Sequence, residues 1–288
     1  MGSSKAGMKK KHIVAFQGER GAFSELAAIQ LLGQRISLLP CERFDQMFRA
    51  LAEGVADAAV VPIENTLHGS VHENYDHLLN FDLKIVAETS VRIVHNLIVP
   101  PGTKFKDVQQ VYSHPVALNQ CLHFFAAHPR LEKKTFYDTA GSVKMMMEQL
   151  PPGAAAIASS LAAANYGGQI LKASIEDDRK NFTRFFLLRR PDFPSPKIKQ
   201  AAKVSVVFRT KNSPGSLFRA LAALALRDIS LVKIESRPMR GRPWEYLFYL
   251  DFLGHVDDPN VRNALAHLGE VSDLIRVLGC YPAAKVEV

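Results

Sequence analysis

Asn181-Phe182-Thr183-Arg184-Phe185 places an amide, a hydroxyl and a guanidinium at the head of an apolar run that continues through Phe186-Leu187-Leu188. Alternate side chains of a strand share a face. Asn181, Thr183 and Phe185 therefore lie on one face, and Phe182, Arg184 and Phe186 on the other. Such a strand end can present a hydroxyl to a cleft with a fixed cation beside it. The same pattern also suits a buried strand in which Thr183 is a β-branched filler. Glu64-Asn65-Thr66 closes another apolar run, at the kind of strand end where open α/β sheets gather ligands; capping of a helix by Asn65 or Ser70 is the alternative. Gly18-x-x-Gly21 sits between a strand and a helix, where backbone N–H groups can surround an anion. It lacks the glycine spacing of dinucleotide and P-loop motifs, and a plain turn fits it as well. His68, His72 and His77 do not form a compact ligand set, so they read as solvated helix histidines and no metal is expected.

The elements around these stretches alternate. Strands are expected at Ile13–Phe16, Ile36–Leu39 and Ala58–Ile63, with helices at Ala22–Leu32 and Phe44–Ala52, which points to an α/β layer with parallel pairing. Leu83–Val99 reads as one long strand crossing between two lobes. A strand ending at Ser113-His114-Pro115 leads into a helix reaching about Ala127, with Pro115 in its first turn. Strands at Glu132–Tyr137 and Ala154–Ala158, and helices at Thr139–Gln149 and Ser159–Asn165, complete a lobe before the chain returns through Ile170–Ile175. Two lobes joined by crossing strands leave a cleft, a usual small-molecule site. Pro191, Pro194 and Pro196 mark a linker over 191–202. Beyond it the order strand, helix, strand, strand, helix, strand is a ferredoxin-like unit.

Composition narrows the function classes. A chain of 288 residues suggests about two domains, and 47% hydrophobic with 22% charged residues is ordinary for a globular protein. The formal charge of +8 invites a nucleic-acid reading, but Lys5, Lys9, Lys10 and Lys11 supply four of those charges in a tail without acids. No basic stripe with interleaved aromatics appears, which excludes nucleic acid as a partner. Cys41, Cys121 and Cys280 are scattered and odd in number, as free thiols of a reducing compartment would be. No apolar run is long enough to span a bilayer, and the N-terminus lacks a signal peptide's apolar core. Met1 to Gly7 reads as residues added for expression, with Met8 a native start. A cytoplasmic protein is expected.

Four stretches together resemble prephenate dehydratase: Gly18-Glu19-Arg20-Gly21-Ala22-Phe23-Ser24, Pro62-Ile63-Glu64-Asn65-Thr66, Tyr112-Ser113-His114-Pro115 through Gln120-Cys121, and Asn181 to Phe185. The C-terminal unit resembles that family's ACT-type sensing domain, by Asn212-Ser213-Pro214-Gly215-Ser216-Leu217, Glu235-Ser236-Arg237-Pro238 and Trp244-Glu245-Tyr246. The resemblance implies a two-lobed catalytic half of type II periplasmic-binding-protein kind over 12–190, and an ACT domain over 203–282. It also implies decarboxylation and dehydration of prephenate to phenylpyruvate, without metal or organic cofactor. Val116 stands where the family usually has glutamine, and Ser216 where it usually has alanine.

Under this resemblance Thr183 is the catalytic residue, an orienting donor to the leaving hydroxyl. Its acidity is too low for easy full proton transfer, so Glu64 or a shared water is a lesser candidate as proton source. Asn65, Thr66, Ser113, Gln120 and Phe185 join it around the substrate, although Phe185 also suits the core. Arg184 is the expected carboxylate partner by chemistry, while strand alternation aims it away from Thr183. Phenylalanine is the expected effector. Asn212, Pro214, Gly215, Ser216 and Leu217 would offer N–H groups to its carboxylate. Glu235, Ser236 and Arg237 would lie opposite, with Glu235 or backbone carbonyls receiving its ammonium. Arogenate dehydratase and a non-catalytic amino-acid-responsive binding protein are the alternatives. A homodimer or homotetramer is expected, since a ferredoxin-like sheet has edges that can pair.

Overall fold

The computed structural model describes residues 11–194, 198, 202–239, 241, 242 and 244–284. The tail up to Lys10, the expected start at Met8 and much of the expected linker, Pro196 included, lie outside the described residues. The first elements are β1 (His12–Gln17), α1 (Phe23–Leu32), β2 (Ile36–Cys41), α2 (Phe44–Ala52) and β3 (Ala58–Asn65). As the alternation predicts, β1 pairs in parallel with both β2 and β3. Next come β4 (Gly69–Ser70), α3 (His72–Asn80), β5 (Lys84–Arg92) and β6 (Asn96–Val99). The expected single strand over 83–99 is thus two. His95 interrupts it because its backbone is bonded elsewhere: its N–H donates to Glu176 (3.0 Å), and its carbonyl accepts from Ile175 N–H (2.9 Å).

A 3-10 turn at Phe105–Asp107 and β7 (Gln110–Ser113) lead to α4 (Pro115–Asn119) and α5 (Leu122–Ala127). One helix was expected here. It splits because the Asp177 carboxylate accepts from the N–H groups of Leu122 (2.7 Å) and His123 (2.9 Å). The Asp177 N–H in turn takes the carbonyl of Gln120 (2.7 Å). A carboxylate more than fifty residues away acts as the N-cap of α5. The chain continues as β8 (Glu132–Thr135), α6 (Thr139–Gln149), β9 (Ala154–Ala158), α7 (Ser160–Tyr166), β10 (Gln169–Lys172) and β11 (Phe182–Arg189). The last six elements are β12 (Ala202–Arg209), α8 (Ser216–Ala225), β13 (Leu231–Pro238), β14 (Tyr246–Leu253), α9 (Pro259–Glu270) and β15 (Leu274–Pro282). That is the expected βαββαβ order.

Contacts divide the chain into two compact units. The first holds the described residues up to Val60 together with Ile93–Arg179. Its second sheet runs β10-β6-β9-β7-β8. On one side of that sheet Ile98, Ala156 and Ala158 pack with Val143 and Met146 of α6 and Ala162 of α7. On the other, Leu97, Val99 and Ile157 pack with Leu118 and Phe125. The run of small residues in β9 is what lets helices close on both faces.

The second unit holds Val61–Arg92 and the described residues from Lys180 onward. In it β11 lies between β3 and β5, antiparallel to β5, and a separate sheet runs β13-β14-β12-β15. Alternation divides the faces of that last sheet. Val204, Val206 and Phe208 of β12 and Leu250 and Phe252 of β14 bury against α8 and α9. The residues between them, Lys203, Ser205 and Asp251, face the other way, with Tyr281 of β15. That polar face meets β5 and β11. The approach is close: a Cβ on Gly279 of β15 would collide with the backbone of Ile85 in β5.

Candidate functional site

Strand β11 carries two different clusters on its two faces. On the first face the Asn65 side chain, at the end of β3, organises everything. Its Oδ1 accepts from the N–H groups of Leu67 (2.9 Å) and His68 (3.0 Å), which fixes the orientation of the amide. Its Nδ2 then donates toward Asn181 Oδ1 (2.7 Å), Thr183 Oγ1 (3.0 Å) and the Phe182 carbonyl (3.1 Å). A threonine hydroxyl has one hydrogen and two lone pairs. With a lone pair of Oγ1 occupied by Asn65, the Thr183 hydrogen is free to be donated outward. Thr66 ties the same two strands together, donating to the Lys180 carbonyl (2.8 Å) and accepting from Phe182 N–H (3.0 Å). Thr66 is therefore a clamp between strands. Phe185, on the same face two residues along, is 2% exposed and packs in the core.

On the second face Arg184 is spent on the protein's own carboxylates. It donates to Glu88 (Nε, 2.8 Å), to Asp251 (Nη1, 2.6 Å) and to the Tyr281 hydroxyl (Nη2, 3.2 Å). Lys203 completes Glu88 (2.5 Å), and Ser205 lies between Asp251 (2.5 Å) and Tyr281 (2.6 Å). Burial pulls the Arg184 pKa down, but Asp251, Tyr281 and Glu88 outweigh it and hold it above its ordinary value. Burial likewise pushes Glu88 up, and Arg184 and Lys203 overcome that and hold its carboxyl below the usual range. Charges paired and hydrogen-bonded this completely fix geometry. Glu64 belongs to this ionic side as well, at 2.5 Å from Lys233 and 3.8 Å from Arg184.

In the first unit the other motif residues form their own polar set. Ser113, with 0% exposure, donates to the Ile157 carbonyl (2.6 Å), so toward a ligand it can only accept. Gln120 is 8% exposed, and its Oε1 lies 2.7 Å from Nε2 of His95. Burial holds His95 below its ordinary pKa, so the neutral ring donates through Nε2. The Gly18–Gly21 turn is a backbone requirement. Both glycines have positive φ (105° and 90°), and a Cβ on Gly21 would press into Ala162. The Gly21 N–H is taken by Glu25 (2.7 Å), which Arg20 also grips with two hydrogen bonds. An internal carboxylate thus already occupies the start of α1.

The prephenate dehydratase family model matches residues 14–192, and the ACT domain model residues 204–270. The chain belongs to the prephenate dehydratase family. Arogenate dehydratase/prephenate dehydratase 2, chloroplastic, of Arabidopsis thaliana is 43% identical over 278 residues, spanning 93% of this chain and 72% of that protein. The solved prephenate dehydratase of Arthrobacter aurescens in complex with L-Phe has a TM-score of 0.86 at 33% identity, covering 94% of this chain and 90% of that one. A structure described as GqqA, a novel type of quorum-quenching acylase, has a TM-score of 0.87 at 34% identity, covering 94% and 98%. The mixed α/β fold expected from the sequence is the fold of these structures, and the protein is an enzyme of this family.

Within the ACT domain of this dehydratase, Gly215 caps α8 in the left-handed region (φ 76°). Ser216 is buried at the first turn, 2.7 Å from Ser213 Oγ and 3.2 Å from Arg219 Nη2. Leu217 packs on the domain core. Asn212 and Pro214 sit in the exposed turn before the cap. Alternate residues of β13 form a ladder to the 64–76 segment: Lys233 to Glu64 (2.5 Å), Glu235 to Ser70 (2.5 Å) and His72 (3.3 Å), and Arg237 to Asp76 (3.2 Å). Ser236 lies on the opposite face of that strand. Glu235, expected to receive an effector's ammonium, is therefore also a tie to the segment beyond Asn65. His77 reaches Glu73 (3.4 Å), and among the described residues no group of three metal-ligating side chains stands together. Sequence reasoning did not single out His95, Glu88, Lys203, Ser205, Asp251 or Tyr281. The polar Ser205 and Asp251 inside otherwise apolar strands were the available signal.

Proposed function

We propose that this enzyme converts prephenate to phenylpyruvate, carbon dioxide and water, and that phenylalanine restrains it through the ACT domain. The observation that carries the reading is the Asn65 amide on Thr183 Oγ1, which leaves the threonine hydrogen to be donated. Aromatisation supplies a large driving force, so the residues need only orient the substrate and assist the departing hydroxide. No imidazole or amine is bonded to Thr183 Oγ1 among the described residues of its unit. That arrangement suits hydrogen-bond donation better than the activated nucleophile an acylase would need. Arogenate, the amino-acid analogue, undergoes the same chemistry, and the names of the plant relatives include it. Phenylalanine as effector is supported by the Gly215 turn at a helix N-terminus and by the L-Phe complex of the Arthrobacter aurescens relative. The test is to incubate the purified protein with prephenate and with arogenate. Phenylpyruvate from the first is expected. Phenylalanine formed from arogenate alone would transfer the assignment to that substrate, and turnover of neither would overturn it.

A further inference from the structure

Beside Thr183 stands a second donor whose hydrogens no described residue accepts. Asn181 has 0% exposure. Its Oδ1 accepts from Asn65 Nδ2, and this bond settles which end of the Asn181 amide is oxygen. The other end, Nδ2, is buried and has no hydrogen-bond partner among the described residues. Buried polar groups are nearly always paired, and one that is not calls for an explanation. Asn181 immediately precedes β11, and Thr183 is the second residue of that strand. Both are bonded to the same Asn65 nitrogen (2.7 and 3.0 Å), so their tips lie together. An asparagine needed only to accept from Asn65 would have no use for its donor end. Arg184, the charged neighbour, is committed to Glu88 and Asp251 on the opposite face. The donors on the Thr183 face are thus a hydroxyl and an amide, both neutral.

We propose that Asn181 is a further catalytic residue, whose Nδ2–H and the Thr183 hydroxyl together hydrogen-bond the oxygen of the substrate's leaving hydroxyl. This rests on the dehydratase reading. In the step, the bond from the ring to the carboxylate carbon breaks and carbon dioxide departs. The electron pair of that bond moves into the ring, and the ring C–O bond breaks with its pair going to hydroxide. The hydroxide departs into solvent, where a proton from hydronium or a buffer acid makes it water. Neither the amide nor the threonine need surrender a proton. Preorganised donors aimed where negative charge develops act on the transition state more than on the ground state. Asn65 supplies that preorganisation for both.

Asn181→Asp tests this, because it keeps the oxygen that accepts from Asn65 and turns the donor end into an acceptor. At neutral pH kcat should fall by roughly 10²–10³, the usual loss for one oxyanion-type donor, with KM nearly unchanged. Activity should recover as pH falls, because a protonated carboxyl donates again; a purely structural defect would not recover. A second measurement does not need turnover. In ¹⁵N-labelled Thr183→Ala, the assigned side-chain amide signal of Asn181 should shift when prephenate is added. Parental kcat in Asn181→Asp, or an amide signal that prephenate leaves in place, would overturn the proposal. If the parent turned over neither prephenate nor arogenate, the functional reading would fail separately, and the amide titration would still decide whether Asn181 touches that ligand.

Discussion

The two faces of β11 are built from neighbouring residues and have opposite physical characters. One face is neutral, an amide shared between Asn181 and Thr183, with a hydroxyl hydrogen left over. The other is ionic, with Arg184 locked between Glu88 and Asp251 and Glu88 held in turn by Lys203. A group that must respond to a reacting substrate needs a free valence, whereas a group that sets position needs none left. Under the proposed function, adjacent residues of a single motif thus divide chemistry from support, and the two-residue period of a strand makes the division.

The sharpest way to break this comparison is to cut each face separately. Thr183→Ala should lower kcat by roughly 10²–10⁴ with little effect on stability, while Thr183→Ser should retain much more turnover. Steady-state kinetics beside thermal melts check this, and parental turnover in the alanine variant would remove Thr183 from the chemistry. On the other face, Asp251→Ala takes from buried Arg184 one of its two close carboxylates, leaving Glu88 and the more distant Glu64 (3.8 Å). The expected loss is about 3–5 kcal/mol of unfolding free energy, read from urea denaturation. If that variant kept its stability and instead raised KM, Arg184 would be a substrate ligand after all.

Gly215→Val probes whether the ACT domain carries regulation. A β-branched residue is strained at φ 76°, so the α8 cap should distort while the catalytic residues stay in place. Phenylalanine inhibition should be lost and uninhibited turnover kept. A typical coupling would make the parent's inhibition worth roughly 5–150-fold in affinity. Equal inhibition of both proteins would move the effector elsewhere.

The smallest effect concerns His95, which burial holds below the ordinary histidine pKa. The unfolded chain then takes up the proton first as pH falls. The contribution of His95 to stability is full above about pH 6.5 and is lost as pH drops below that toward the folded value. Parent stability should decline over this window by up to about 1.4 kcal/mol per pH unit from this one group. His95→Gln should flatten the slope. A residual slope of the same sign is expected from His114, also lowered by burial.

What the sequence made legible was local. The βαββαβ unit and the β-α-β-α-β opening could be read because hydrophobic period and turn residues fix each element within its own neighbourhood. The breaks at His95 and between α4 and α5 could not, since Ile175, Glu176 and Asp177 impose them from far along the chain. The site divides in the same way. Alternation placed Thr183 and Arg184 on opposite faces, as observed. That Asn65 would find Thr183 across 118 positions, or that Asp251 would claim Arg184, depends on tertiary pairing that no window of sequence contains.

The close seating of Gly279 against Ile85 bears on how such a protein can be rebuilt. A sensing domain exchanged between relatives at the proline-rich junction would carry a plausible boundary and still fail to dock without a glycine at that position. Tyr281 and Asp251 would have to travel with it, because Arg184 donates to the Tyr281 hydroxyl and would lose one of its two close carboxylates. The exchangeable unit is therefore larger than the segment the junction delimits, and it includes the surface of β5 on which that domain was fitted.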